Sequence, residues 1–150
     1  MLNQLQFLMA RLVVLFLALV IVTVAHSQEV ETIRFSDLQP RLEAPESEVL
    51  IVNFWATWCK PCVEELPYFE AVQASYRPEE VKVLLVSLDF PRQKESRLLP
   101  FINKHQIASE VVLLDETDFN SFIDVVSPEW SGALPATVMI TKSGRKRFYG

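Results

Sequence analysis

Apolar and polar positions along this chain fall into short blocks whose period switches between that of a strand and that of a helix. Val49-Leu50-Ile51-Val52-Asn53-Phe54-Trp55 is almost wholly apolar and rich in β-branched and aromatic residues, which predicts a strand covered on both faces. Val81 to Leu88 reads the same way, and Val111 to Leu114 makes a third, shorter run. Between the first two, Cys62, Leu66, Phe69, Val72 and Tyr76 recur at three- and four-residue steps. They predict a helix from about Cys59 to Tyr76 with those residues on one face. Pro67 removes one backbone donor inside it and is expected to kink it. Leu98, Leu99, Phe101 and Ile102 mark a second helix over residues 92–105.

The flanking blocks are shorter. Glu31 to Phe35 predicts a strand, and Ser36 is placed to cap a helix running to about Glu43, with Pro40 limiting its regularity. A polar loop follows over Pro45–Glu48. Beyond the third apolar run come a short helix near Phe119–Val125, a loop holding Pro128, Trp130 and Gly132, a strand Ala136–Thr141, a Ser143-Gly144 turn and a last strand Arg145–Tyr149. Strand–helix alternation closed by a hairpin predicts an α/β domain around a mixed central sheet flanked by helices. Gly150 follows that last strand directly, so a C-terminal helix is apparently missing and one sheet face is expected to be under-packed.

Residues 1–27 stand apart from this pattern. Leu12 to Ala25 is apolar except for Thr23, Arg11 precedes it, and the next charged residue is Glu29. A positive residue, a short apolar stretch and small residues near Ala25-His26-Ser27 predict an export signal. The run is short for a spanning helix of roughly 20 residues, but Phe7 to Ala10 lengthen it, so an uncleaved membrane anchor is the alternative. Either way Arg11 stays inside and the domain at 28–150 lies on the extracytoplasmic, periplasmic side. A buried core helix is disfavoured because the segment has no polar face.

Composition narrows the class. The chain has 150 residues, half of them hydrophobic, enough for one core and not obviously for two. Of 14 basic and 19 acidic residues only Arg11 precedes residue 28, leaving 13 against 19, a net −6 for the domain. Lys142, Arg145, Lys146 and Arg147 cluster around the Ser-Gly turn and read as a solvated hairpin, so no nucleic-acid partner is expected.

The two cysteines of the chain, Cys59 and Cys62, are separated by two residues. At the first turn of a helix two such sulfurs fall close together and can switch between dithiol and disulfide with little backbone movement. The first sulfur also meets unpaired N–H groups and the positive end of the helix dipole, which favour its thiolate, the attacking form. The second thiol can then resolve the mixed disulfide. Zinc needs four ligands, and only His26 and His105 add obvious nitrogen donors, so no metal is expected. Haem attachment would need His where Val63 stands. An inert structural disulfide stays open, although so small a loop constrains the unfolded chain little.

The stretch Val52-Asn53-Phe54-Trp55-Ala56-Thr57-Trp58-Cys59-Lys60-Pro61-Cys62 resembles the active-site segment of exported thioredoxin-like proteins of the TlpA and ResA type. Glu65-Leu66-Pro67 continues the likeness at the family's Glu-x-Pro, and Gly132-Ala133-Leu134-Pro135-Ala136-Thr137 resembles its cis-proline loop. The resemblance implies a thioredoxin fold over about residues 30–150 and a thiol–disulfide oxidoreductase. It makes Cys59 the attacking and Cys62 the resolving thiol of a redox-active Cys59–Cys62 disulfide. It gives Pro135 a cis bond after Leu134, so that Trp58, Leu134 and Pro135 receive an extended client segment. Cytosolic thioredoxins usually carry Asp where Asn53 stands, and an amide cannot exchange the resolving proton; in the resembling family the Glu of Glu-x-Pro is the candidate, which implies Glu65 here. An ordinary solvated helix glutamate beside Glu64 is the competing reading.

Lys60 either favours the Cys59 thiolate slightly or is simply solvated, Trp55 packs near the site, and Trp130 is core or a wall for the client. Val63 departs from the family, which often has a basic residue there. No cofactor is implied. The implied partners are client proteins with disulfides and a membrane thiol that supplies electrons. Running the same chemistry as an oxidant or isomerase is an alternative, since potentials on related folds span about −270 to −120 mV. A binding or adaptor module whose disulfide never cycles is the non-enzymatic one.

Overall fold

The computed structural model describes Gln4 and residues 29–150; the export signal or anchor expected at 1–27 lies outside the described residues apart from Gln4. Six strands and four α-helices alternate along the described chain. In order they are β1 (Glu31–Ile33), α1 (Phe35–Glu43), β2 (Val49–Trp55), α2 (Lys60–Ser75), β3 (Val81–Ser87), α3 (Leu99–His105), β4 (Glu110–Leu114), α4 (Asn120–Val126), β5 (Ala136–Thr141) and β6 (Lys146–Tyr149). They form one sheet in the order β1-β4-β3-β2-β5-β6. The first four strands of that order run parallel, and β5 and β6 are antiparallel to their neighbours. The sheet is mixed, as the alternation predicts.

The period of two splits each central strand between two cores. Leu50, Val52 and Phe54 of β2, with Leu84 and Val86 of β3, face Leu38 and Leu42 of α1 and Phe122 and Val126 of α4. Ile51 and Trp55, with Val83 and Leu85, face Cys62 and Leu66 of α2 and Ile102 of α3. Burial on both faces is why β2 and β3 read as continuous apolar runs rather than alternating ones. Packing thins toward β6, where Phe148 is half-buried and the other three residues are exposed. Gly144 holds φ +84° in the β5–β6 turn, a backbone state that glycine adopts without steric cost.

Several boundaries differ from the sequence reading. Strand β1 stops at Ile33, and Phe35 begins α1 instead of ending the strand. Arg34, not Ser36, is the N-cap, because the Asp37 carboxylate accepts the Arg34 backbone N–H at 3.0 Å. Tyr76 lies past the end of α2 and is exposed, so the buried face of that helix is narrower than its spacing implied. The segment expected as one helix over 92–105 is a 3₁₀ turn at Pro91–Gln93, a π turn at Lys94–Leu98 and then α3. Pro100 explains the break: it offers no N–H and crowds the preceding turn. The Leu99 N–H bonds five residues back, to the Lys94 carbonyl.

Candidate active site

Cys59 is the N-cap of α2 and Pro61 occupies its first turn, where a missing N–H loses nothing. The β2 strand ends at Trp55, so the short Ala56–Trp58 connection sets the first cysteine at the carboxyl edge of the sheet. Cys59 and Cys62 form a disulfide with Cα atoms 5.3 Å apart. The Cys59 sulfur accepts the Cys62 backbone N–H at 3.3 Å, one of the N–H groups left free at a helix start. Cys59 is 7% exposed and Cys62 is 0% exposed. Both cysteines are therefore buried, and of the two only Cys59 lines the groove beside it.

Cys59 opens into a groove of about 560 Å³ whose walls include Trp58, Leu88, Phe90, Phe119 and Leu134. Trp58, Phe90 and Phe119 are among the exposed large hydrophobic residues of the chain. The Leu134–Pro135 peptide bond is cis. The two residues serve different spaces: Leu134 lines the Cys59 groove, whereas Pro135 lines a smaller pocket of about 220 Å³ with Glu65, Thr137 and Tyr149. Trp130 belongs to the core: it is 5% exposed, its ring centroid lies 4.6 Å from that of Phe54, and its indole N–H donates to the Ala133 carbonyl at 2.8 Å. That bond ties the cis-proline loop to the core, and Gly132, at φ +87°, supplies the turn between them. Trp55 is fully buried against Phe101, with ring centroids 5.5 Å apart.

Behind the cysteines lies a polar cluster. Asn53 is fully buried on the α2-facing row of β2, paired in register with Thr137 of β5. Its amide N–H₂ donates to the Glu65 carboxylate at 2.8 Å and to the Thr137 hydroxyl at 3.0 Å. Burial pushes the Glu65 carboxyl above its ordinary range, and the Asn53 hydrogen bond opposes this in part. Glu65 is thus half-buried and bonded, not a freely solvated helix glutamate. Lys60 is the solvated one, with a side chain 88% exposed and 3.8 Å from Glu64. His105 is exposed at the end of α3, stacked on Phe101. Among the described residues, no group of three or more His, Cys, Asp and Glu side chains is arranged to hold a metal ion, and no helix is long and apolar enough to cross a membrane.

The sequence reading passed over Asp89, just beyond β3. It is 2% exposed. Its carboxylate accepts the Thr57 backbone N–H at 3.0 Å, the Thr57 hydroxyl at 2.6 Å and the Ser87 hydroxyl at 2.9 Å. A signal existed: a carboxylate at the carboxyl end of a buried central strand is where open α/β sheets place functional groups. Phe90 and Phe119 were also missed, since a single aromatic in a loop carries no periodicity.

A Cys-x-x-Cys disulfide at the start of a helix, packed on a mixed sheet beside a cis-proline loop, defines a thioredoxin-fold domain. A thioredoxin-related protein from Neisseria meningitidis serogroup B has the same fold at 24% identity and TM-score 0.58, over 68% of this chain and 73% of that one. StoA from Bacillus subtilis matches with TM-score 0.51 and 22% identity, over 70% and 75%. Residues 21–147 match the AhpC/TSA family, and the chain belongs to that family, as a thioredoxin-like member of the TlpA/ResA type. It is 30% identical over 113 residues to a protein of Geobacillus thermodenitrificans named thiol-disulfide oxidoreductase ResA, covering 73% of this chain and 60% of that one. A protein of the same name from Oceanobacillus iheyensis is 42% identical over 65 residues, 42% of this chain and 30% of the relative. The chain therefore spans between about a third and three-fifths of the length of these two curated relatives.

Proposed function

We propose that this chain is an extracytoplasmic thiol–disulfide oxidoreductase that reduces disulfides in client proteins through the Cys59/Cys62 pair. The observation that carries the reading is a Cys59–Cys62 disulfide at the start of α2 of which Cys59 lines an apolar groove and Cys62 is fully buried. The Cys59 thiolate attacks one sulfur of a client disulfide; a Cys59–client disulfide forms and the other client sulfur leaves as a thiolate that takes up a proton. Cys62 then loses its proton to Glu65 and attacks the Cys59 sulfur. The client leaves with two thiols, and the Cys59–Cys62 disulfide is restored. Glu65 suits that duty because a carboxyl held above its ordinary range accepts a thiol proton more readily near neutral pH. The apolar groove receives the client segment beside its cysteine.

Segment 1–27 serves as a cleaved signal or as an anchor, and a membrane thiol returns the domain to its dithiol form. The relatives' names support the chemistry, and the leader composition supports the compartment. Insulin reduction coupled to a dithiol supply tests the activity: wild type turns over and Cys59→Ser does not. Equilibration with glutathione tests the direction. A potential near about −270 mV fits a reductant, and one near about −120 mV would make the chain an oxidant.

A further inference from the structure

Asp89 is a buried side chain next to the active-site loop to which the exchange chemistry gives no part. Burying a carboxylate is unfavourable unless hydrogen bonds replace its lost water, and here the replacements are all neutral. They are the Thr57 N–H, the Thr57 hydroxyl and the Ser87 hydroxyl. Among the described residues Asp89 makes no ion pair. Three donors converge on the two carboxyl oxygens, so the contact clamps Thr57 to the end of β3.

What it clamps matters. Thr57 is one residue before Trp58 and two before Cys59, which form one side of the groove; Leu88 and Phe90, the immediate neighbours of Asp89, form another. The Leu88 N–H donates to the Trp55 carbonyl at 2.8 Å, closing the last backbone rung between the same two segments. Beyond that rung the Asp89 carboxylate joins the two segments through Thr57.

We propose that Asp89 is a positioning residue that sets the spacing of the Trp58 and Phe90 walls beside Cys59, and so how a client segment is seated against the sulfur. This rests on the disulfide-exchange reading. It predicts an effect on large substrates only, because a small disulfide reaches Cys59 without filling the groove. The test compares insulin with bis(2-hydroxyethyl) disulfide in wild type, Asp89→Ala, Asp89→Asn and Thr57→Val, with melting curves for each. Asp89→Ala should raise KM for insulin about tenfold, with kcat and the small-disulfide rate within about twofold of wild type. Asp89→Asn keeps an acceptor for the Thr57 N–H, and the Thr57 hydroxyl can rotate to accept from the new amide. It should therefore restore most of the loss.

If Asp89→Ala does not fold, Thr57→Val is read in its place, with the same split between substrates and a smaller KM change. An equal loss on both substrates, or no change on either, overturns the positioning role. A wild-type protein inert toward both disulfides would instead sink the exchange reading itself.

Discussion

Glu65 stands between two opposing influences, burial that favours its neutral form and an Asn53 amide that favours its charge. Burial prevails, so in the folded protein the carboxyl holds its proton to higher pH than in the unfolded chain. Over that window the native state binds more protons, and stability falls as pH rises from the ordinary carboxylate range through the raised value. Glu65→Gln should flatten that part of a pH–stability curve, measured by denaturant unfolding. In catalysis the carboxyl must be free of its proton to accept one from Cys62. The resolving rate should therefore climb with pH through the same window in wild type, and Glu65→Gln should slow it on the order of a hundredfold and erase that inflection. Stopped-flow tryptophan fluorescence on a preformed mixed disulfide checks both. At this scale the cysteine pair was legible from its spacing, whereas Glu65 and Pro135 were named through the family resemblance. Asp89 was not legible, because its partners Thr57 and Ser87 come together only once β2 and β3 pair.

Elements make the site by where they stop. Strand β2 ends at Trp55 and α2 starts at Lys60, which leaves Cys59 as the cap whose sulfur meets the helix end. The cis-proline loop is held in turn by Trp130, so Trp130→Phe should keep the tilted ring contact with Phe54 and lose the bond to the Ala133 carbonyl. We expect a loss of about 1 kcal/mol in denaturant unfolding and weaker insulin binding, read as KM. A second element-level tie joins three segments: Glu110 of β4 meets Arg41 of α1 and Lys82 of β3. Burial would raise the Glu110 carboxyl, but the hydrogen bonds and charges of Lys82 and Arg41 together outweigh it and hold the carboxyl below its ordinary range. Its contribution is present above the ordinary carboxylate range and fades as pH falls through the lowered value. Because all three side chains are partly exposed, Glu110→Gln should cost only about 1 kcal/mol at neutral pH, and less in acid. Strands were the best-read elements, since full burial writes itself as continuous apolar runs. The 92–105 segment was misread because apolar spacing outlasts the hydrogen-bond pattern that Pro100 disrupts.

The whole molecule is a sheet buried on both faces at its centre, with the disulfide at the carboxyl edge of β2 and the cis-proline loop entering β5 beside it. The α/β class followed from alternation, yet the order β1-β4-β3-β2-β5-β6 did not, because nothing local says which apolar strand lies beside which. Resemblance supplied what periodicity lacked. The groove around Cys59 was equally out of reach, being assembled from four separated stretches of chain that only the fold gathers. The proposed exchange depends on Cys59, which lines the groove, being the attacking sulfur and the buried Cys62 the resolving one. Trapping with Cys62→Ser and disulfide-bonded insulin, followed by mass spectrometry of the adduct, tests that directly. The account predicts a dithiothreitol-sensitive adduct on Cys59, and none on Cys62 when Cys59→Ser is treated in the same way. No adduct with Cys62→Ser, or equal labelling of Cys62 in Cys59→Ser, would contradict it.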